Sequence, residues 1–469
     1  MTSLFAPLAL TAATLAAATA LGWLVVRLVL PSGRPGRAEV LAWSFAVGCA
    51  LLAAAAAASF ALGLQSVAAI AGFLGLLLAG IAWRWPLPSE PGERPSQPPA
   101  RPAVQGSVWV DRVLVLVLLL GVALYTLRAL NEPMWSNDYL AIWGLKGRGL
   151  FFARGIPASL RLPEYGFSHP EYPLGLPLLY AGLASIVGRW DDQALALLFP
   201  CFQAATLLAL YGWLRRRGAQ RTLSLAAAAL LSLLTPLYSS FATGMADVPF
   251  ALAGLLFATA LSDALDGTDT GASRRLCVAS LLCAGVKDEG LFLAAAGAVI
   301  AIVSASPRRR RAAAAAILPA AGLVASQRLV VGSSTLRDFD FSFLSAGVGE
   351  LSSRVAADLQ AALTAAAPSW LALLALAALF AAGRRTPHGD RILALAAASF
   401  TAYLLLPVLA VMGPAWLIST SLARTTTALA PMVAAGITAR LADVSIAASA
   451  DPKESAAHAE GPRPSTPAS

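Results

Sequence analysis

The chain has 469 residues, of which 58% are hydrophobic and only 13% are charged, with a formal net charge of +9. Soluble globular proteins carry about 25% charged residues, so this composition excludes a water-soluble enzyme with one large core, a disordered chain and a disulfide-stapled secreted module. A membrane-spanning helix needs about 20 apolar residues, and the chain contains many such runs without the alternation of barrel strands. The sequence therefore predicts an all-α, polytopic membrane protein.

Long apolar runs alternate with short polar segments along the chain. We count thirteen runs as membrane spans: three form an N-terminal three-helix module over 1–83, and ten belong to a larger membrane domain over 109–445. The Pro-rich segment over 84–108 is typical of a cytoplasmic linker, and the polar tail over 446–469 is typical of disorder. The predicted spans lie at about 5–30, 39–62, 66–83, 109–130, 192–214, 221–241, 246–264, 276–288, 290–305, 312–331, 367–383, 391–411 and 427–445.

Arginine-rich loops beside membrane spans are retained in the cytoplasm, and this rule orients the chain. The segment 173–188 is short and interrupted by proline, and counting it as a span would place Arg215–Arg217 outside. We interpret it as an interfacial or re-entrant helix, which keeps the arginine-rich loops inside. The sequence then predicts a cytoplasmic-membrane protein with two extracytoplasmic loops, over 131–191 and 332–366, that carry juxtamembrane helices. His388 falls in a cytoplasmic polar segment and is expected to be solvated.

Five short polar clusters fall on the extracytoplasmic side of this topology. The arginine rule fixes the topology without reference to them, so their common location predicts a single site there. The clusters are NDYLAIWGLK (137–146), SHPEYP (168–173), GMADVP (244–249), VKDEG (286–290) and SLAR (421–424).

The first cluster places Asp138 at the outer end of the fourth span, where its carboxylate could take a proton from a hydroxyl group. The alternative is that Asn137 or Asp138 only caps the following helix. Lys146 lies two helical turns beyond Asp138 and shares its helix face. It is either an anion ligand or an interfacial lysine whose charge reaches the lipid headgroups.

The second cluster holds His169, Glu171 and Tyr172 between prolines, which restrict the backbone and would present these side chains rigidly. The alternative is a turn that only leads into a surface helix. Asp247 begins a span, where it either lines a cavity or simply complements the helix dipole. The pair Asp191–Asp192 also begins a span and is predicted to cap it.

Lys287 and Glu289 interrupt two apolar runs that are each too short to cross about 30 Å of hydrocarbon comfortably. They indicate either a polar cavity at membrane depth or a local ion pair, and we favour the cavity. Arg424, in the last outer loop, carries a guanidinium group whose geometry suits a phosphate; a headgroup anchor is the alternative.

Taken in chain order, these elements are a loop acid, a His-Pro turn, a second acid, a Lys-x-Glu-Gly element and a late arginine: Asp138, 168–173, Asp247, 287–290 and Arg424. Over residues 131–431 this series resembles the GT-C superfamily of integral-membrane glycosyltransferases. The resemblance is to the protein O-mannosyltransferase and aminoarabinose-transferase-like branch, which uses polyprenyl-phosphate sugars. Two positions depart from the pattern, since Glu171 replaces a second proline and Val286 replaces a threonine.

The resemblance implies that Asp138 acts as a catalytic base or binds the acceptor, and that Arg424 contacts the donor phosphate. Lys287 and Lys146 join Arg424 as cations that would stabilise the departing phosphate. The other predicted site residues bind the acceptor or sugar, or line the cavity: Asn137, His169, Glu171, Tyr172, Asp247 and Glu289. No cofactor is assigned, and a divalent cation held between Asp138 and Glu171 is the less favoured alternative.

The predicted function is transfer of a sugar from a polyprenyl-phosphate donor to an acceptor on the extracytoplasmic face, by an inverting single displacement. The predicted partners are this donor, membrane lipids and a glycan, lipid or protein acceptor. Nucleic acid is not expected, because the arginines lie in short loops beside spans. Two alternatives stay open: a lipid-linked-glycan transporter or flippase, and an enzyme like O-antigen ligases or polymerases. A transporter should carry charges at both membrane faces and between them, whereas these candidates share one face.

Overall fold

The computed structural model describes residues 2–29, 36–64, 66–84, 107–156, 168–266, 271–303, 306–331, 348–365, 387–405, 408 and 422–448. Regular structure in these ranges is helical throughout, as the composition predicts. Most of the linker over 84–108, residues 332–347 of the second outer loop, the predicted span over 367–383 and the tail beyond 448 lie outside the described residues.

The helices are numbered here in chain order, and one short π-helical segment, Tyr139–Trp143, lies between α4 and α5. They are α1 Thr2–Val29, α2 Arg37–Ala61, α3 Val67–Arg84, α4 Val108–Asn131, α5 Gly144–Ala153, α6 Gly175–Val187, α7 Asp192–Ala196, α8 Leu198–Arg216, α9 Arg221–Ser232, α10 Asp247–Asp266, α11 Ala272–Val286, α12 Glu289–Val303, α13 Pro307–Val331, α14 Val348–Ala365, α15 Pro387–Leu405, α16 Ala423–Ala428 and α17 Ala430–Ala448.

Six helical stretches in the described ranges are long and apolar enough to cross a membrane. They are Phe5–Arg27, Arg37–Ala61, Val108–Asn131, Asp192–Arg216, Asp247–Asp266 and Pro307–Leu329. Helix α6, in the segment predicted not to span, has 13 residues and is about 20 Å long. It is too short to cross, and it packs between α2 and α5 with most of its side chains buried, so its place is inside the bundle.

Helix α10 forms the centre of the bundle. Every residue from Asp247 to Leu265 is buried, and the helix is apolar around its whole circumference, as an interior helix must be. Helices α8, α11, α13, α15 and α17 pack around it. Between Asp247 and Asp263 the helix carries no ionisable side chain over about 24 Å.

The N-terminal helices pack closely on this bundle. Gly22 of α1 and Gly48 of α2 let the two backbones touch, since a Cβ atom at Gly22 would lie 1.9 Å from the Ser44 carbonyl oxygen. Helix α2 also packs against α6 and α8. The predicted three-helix module therefore shares one continuous core with the larger membrane domain.

The end of α10 that carries Asp263 holds a buried network of arginines and acids. Asp263 pairs with Arg216 at 2.6 Å, with Arg275 at 3.1 Å and with Arg217. Arg216 also donates to both carboxylate oxygens of Glu39, at 2.8 and 2.9 Å. This network joins α2, α8, α10 and α11 at one end, where the arginine-rich loops were predicted to gather.

The last turn of α10 extends this network to α15. Asp266 lies 2.6 Å from Arg391 and 3.0 Å from Nδ1 of His388. The Arg217 guanidinium lies 3.0 Å from Nε2 of the same imidazole. The expectation that His388 is solvated is therefore wrong, because its ring is held between an acid and an arginine.

Candidate functional site

Asp138 lies where the chain leaves α4 and enters the π-helical segment. The cap of this helix is Ser136, whose hydroxyl accepts from the Tyr139 amide at 3.3 Å and whose carbonyl accepts from the Leu140 amide at 3.0 Å. The Asp138 side chain makes no capping hydrogen bond. The alternative that Asp138 only caps the helix is wrong, and its carboxylate is available for another partner. Asn137 beside it is exposed.

Lys287 and Glu289 lie at the tip of a hairpin formed by α11 and α12. Each helix has 15 residues and is about 22 Å long, so this tip lies within the bundle, as the short apolar runs predicted. Gly290 allows the tight approach, because a Cβ atom there would lie 2.2 Å from the Cys283 backbone. Lys287 is buried at this tip.

Five predicted residues meet at the end of α10 that carries Asp247, and we name this set the ion-pair chain. Arg424 lies 2.8 Å from Asp138 and 3.1 Å from Asp247. Lys287 lies 3.0 Å from Asp247 and 2.7 Å from Glu289. Acids and cations therefore alternate along the series Asp138, Arg424, Asp247, Lys287 and Glu289.

The middle and the ends of the ion-pair chain differ in exposure. The Asp247 and Lys287 side chains are 3% and 7% exposed, whereas those of Asp138 and Glu289 are 28% and 20% exposed. Arg424, at 20%, is the more accessible cation. Asp247 is fixed between two cations, while the two terminal acids can be reached from outside.

The second predicted cluster forms a separate group around Lys146, which we name the aromatic cluster. Lys146 is fully buried, donates to the His169 carbonyl and lies over the rings of Trp143 and Tyr172, at 5.9 and 5.6 Å. Burial lowers the pKa of Lys146 to about 7, although Glu171 and other nearby acids oppose this shift. A snorkelling lysine would leave its charge in solvent, so that alternative is wrong.

The turn that supplies this carbonyl is strained. His169 has a φ angle of +49°, a backbone conformation that residues other than glycine seldom adopt. Its ring stacks on Tyr172 at 4.6 Å, and Nδ1 lies 3.1 Å from the Glu171 carboxylate. The turn leads into helix α6, most of whose side chains are buried, so the alternative of a turn that only leads into a surface helix is wrong.

The structure thus places nine of the ten predicted residues in two neighbouring sets, and Asn137 lies in neither. The ion-pair chain holds five of them, and the aromatic cluster holds Lys146, His169, Glu171 and Tyr172. The π-helical segment lies between Asp138 and Gly144, and it links the two sets; such segments are frequent at functional sites. Among the described residues, no three His, Cys, Asp or Glu side chains are placed to hold a metal ion.

Asp192 makes polar contacts near the site that the sequence did not indicate. Asp191 caps α7, as predicted, by accepting from the Ala194 amide at 3.1 Å. Asp192 instead accepts from the Tyr139 hydroxyl and from the Trp190 indole at 2.7 Å. The signal was the presence of two consecutive acids where one is enough to cap a helix.

Neither a family model nor a curated protein matches this sequence. The ion-pair chain and the aromatic cluster are therefore the basis for assigning a function.

Proposed function

We propose that this protein is a GT-C-like glycosyltransferase with about thirteen membrane spans, located in the cytoplasmic membrane with its site on the extracytoplasmic face. It would transfer a sugar from a polyprenyl-phosphate donor to a hydroxyl group of a glycan, lipid or protein acceptor. The observation that carries this proposal is the pairing of Asp138 with Arg424, which sets a reachable carboxylate beside a reachable guanidinium.

In the proposed reaction, Asp138 acts on the acceptor side of the anomeric carbon and Arg424 acts on the phosphate side. The acceptor oxygen forms a bond to the anomeric carbon while the bond from that carbon to the phosphate oxygen breaks. Asp138 takes the proton of the acceptor hydroxyl, and the phosphate leaves with the bonding electron pair. Arg424 stabilises the charge on that phosphate through paired N–H donors. A single displacement inverts the anomeric carbon.

The two lysines take supporting parts in this proposal. Lys287 already contacts two carboxylates, so we assign it to holding Asp247 and, through Asp247, the position of Arg424. Lys146 is enclosed by aromatic rings and bonded to the His169 carbonyl, so we assign it to holding the turn. Arg424 then remains as the direct phosphate ligand.

The aromatic cluster is the proposed sugar or acceptor platform. His169 and Tyr172 stack on each other and are partly exposed, and Glu171 lies beside them. Aromatic faces pack on the apolar faces of sugar rings, and a carboxylate accepts hydrogen bonds from sugar hydroxyls. These residues adjoin the segment that carries Asp138, so an acceptor held here would have a base within reach.

A transporter is less well supported. A polar path through the membrane would need charged or polar groups along its length. The central helix α10 has charges only at its two ends, and those at the Asp263 end are paired with arginines.

The proposal is tested by mass spectrometry of cell-envelope glycans from strains with and without the gene. We expect a glycan species in the deletion strain that lacks one sugar, together with accumulation of the polyprenyl-phosphate donor. Identical glycan and lipid-linked sugar profiles in the two strains would contradict the assignment.

A further inference from the structure

We propose that Asp138 occupies the phosphate position on Arg424 while the site is empty, and that the donor phosphate displaces it. Donor binding would then free the Asp138 carboxylate, so that the base becomes available only when its substrate is present. This inference rests on the proposed function and deepens it, because it couples donor binding to the readiness of the base.

The geometry identifies which acid can leave. Arg424 contacts two carboxylates, but Asp247 is 3% exposed and is also held by Lys287. Asp138 is 28% exposed and contacts Arg424 alone among the ion pairs of the described residues. An incoming anion can therefore replace Asp138 at much lower cost than it can replace Asp247.

The charges match in this exchange. A phosphate diester carries one negative charge, the same as the carboxylate that it would displace, so the charge facing Arg424 is unchanged. The guanidinium offers paired donors that suit a phosphate as well as a carboxylate. Since the exchange keeps Arg424 paired, neither state leaves a largely buried cation without an anion.

The exchange also explains why Asp138, the proposed base, is paired with Arg424 in the empty site. While Arg424 holds one oxygen of the Asp138 carboxylate at 2.8 Å, the ion pair keeps the carboxylate on the cation, and it cannot turn towards an acceptor hydroxyl group. When phosphate takes that place, the carboxylate is released from Arg424 and can turn to the acceptor side of the sugar, opposite the leaving phosphate.

The test is the binding of methyl decyl phosphate, a phosphate diester with one negative charge, to the purified full-length protein in detergent, by isothermal titration calorimetry. If Asp138 blocks Arg424 most of the time, its removal raises the fraction of protein that can bind phosphate, and Asp138→Asn should bind about tenfold more tightly than wild type. Arg424→Ala should lose the tighter binding when combined with Asp138→Asn. Binding by Asp138→Asn that is equal to or weaker than that of wild type would overturn the inference.

Two comparisons separate exchange from a general gain in positive charge. Glu289→Gln removes the same charge from the other end of the ion-pair chain and should tighten binding by less than about threefold, because Lys287 stays paired with Asp247. Equal tightening in both variants would contradict the exchange at Arg424. Asp138→Ser serves as a second variant, because the amide oxygen introduced by Asp138→Asn can imitate the carboxylate contact with Arg424, whereas the shorter serine side chain cannot.

The binding assay contains no sugar, so its outcome is independent of transfer. Tighter binding by Asp138→Asn with unchanged envelope glycans in the deletion strain would refute the proposed function and leave the exchange intact. Glycan changes without tighter binding would refute the exchange alone.

Discussion

The guanidinium of Arg424 lies 2.8 Å from the carboxylate of Asp138, although the two residues come from the last and the first polar clusters of the predicted site. The same guanidinium lies 3.1 Å from Asp247 at the start of the central helix. Segments far apart in the sequence thus close one site at one end of the bundle. The arginine-rich network around Asp263 occupies the other end.

Of the three acids in the ion-pair chain, Asp247 should contribute most to the stability of the folded protein. Removing one member of a buried ion pair costs about 3–5 kcal/mol, whereas an exposed pair contributes about 1 kcal/mol or less. Asp247→Asn should therefore lower the thermal unfolding temperature in detergent clearly more than Asp138→Asn, which removes the same charge from a more exposed position. Equal unfolding temperatures for the two variants would show that the middle of the ion-pair chain is no better fixed than its end.

Lys146 should leave a signature in the pH dependence of stability. Its pKa is about 7 in the folded protein and 10.5 ordinarily, so between these values the unfolded chain binds a proton that the folded protein does not. Raising the pH weakens this proton binding by the unfolded chain, so the stability of the folded protein should rise from about pH 7 to about pH 10.5. The rise should be smaller in Lys146→Met, measured by thermal unfolding at each pH. Parallel curves for the two proteins would mean that the buried lysine keeps its proton.

The two ends of the bundle should label from opposite sides of the membrane. Asn137 and Arg221 are both exposed and lie at the site end and the arginine end respectively. In a background where the native cysteines are replaced, cysteine at 137 should react with a membrane-impermeant maleimide on intact cells. Cysteine at 221 should react only after the membrane is opened. Labelling at 221 on intact cells would reverse the orientation derived from the arginines.

The helical class and the gathering of polar clusters could be predicted from the sequence. Both follow from periodicity, apolar length and arginine bias, which are local properties. The clusters carrying Asp138, Asp247, Lys287 and Arg424 were expected to lie together, and their side chains meet at one end of the bundle. Six long apolar helices agree with the predicted membrane class.

Partner choice could not be predicted, because it depends on how helices pack. The sequence allowed two interpretations of Lys287, a polar cavity or a local ion pair with Glu289. It did not indicate that Asp247 would be a second partner of this lysine. His388 looked solvated because its neighbours in the chain are polar, whereas α10 and α8 bring Asp266 and Arg217 to it. Ser136 was overlooked as the cap because Asn137 and Asp138, which are also common capping residues, follow it.

The most direct test of the central claim is complementation of the deletion strain with Asp138→Asn, read out by mass spectrometry of the envelope glycans. Ser136 keeps the helix cap in this variant, so the protein should fold and reach the membrane normally. Without the base, transfer should fall by about 10²–10⁴-fold and the missing sugar should not return. Glu132→Gln, which alters an exposed acid six residues before the site, is the matched control and should restore the glycan fully. Full restoration by Asp138→Asn at normal expression would contradict the assignment of Asp138 as the base.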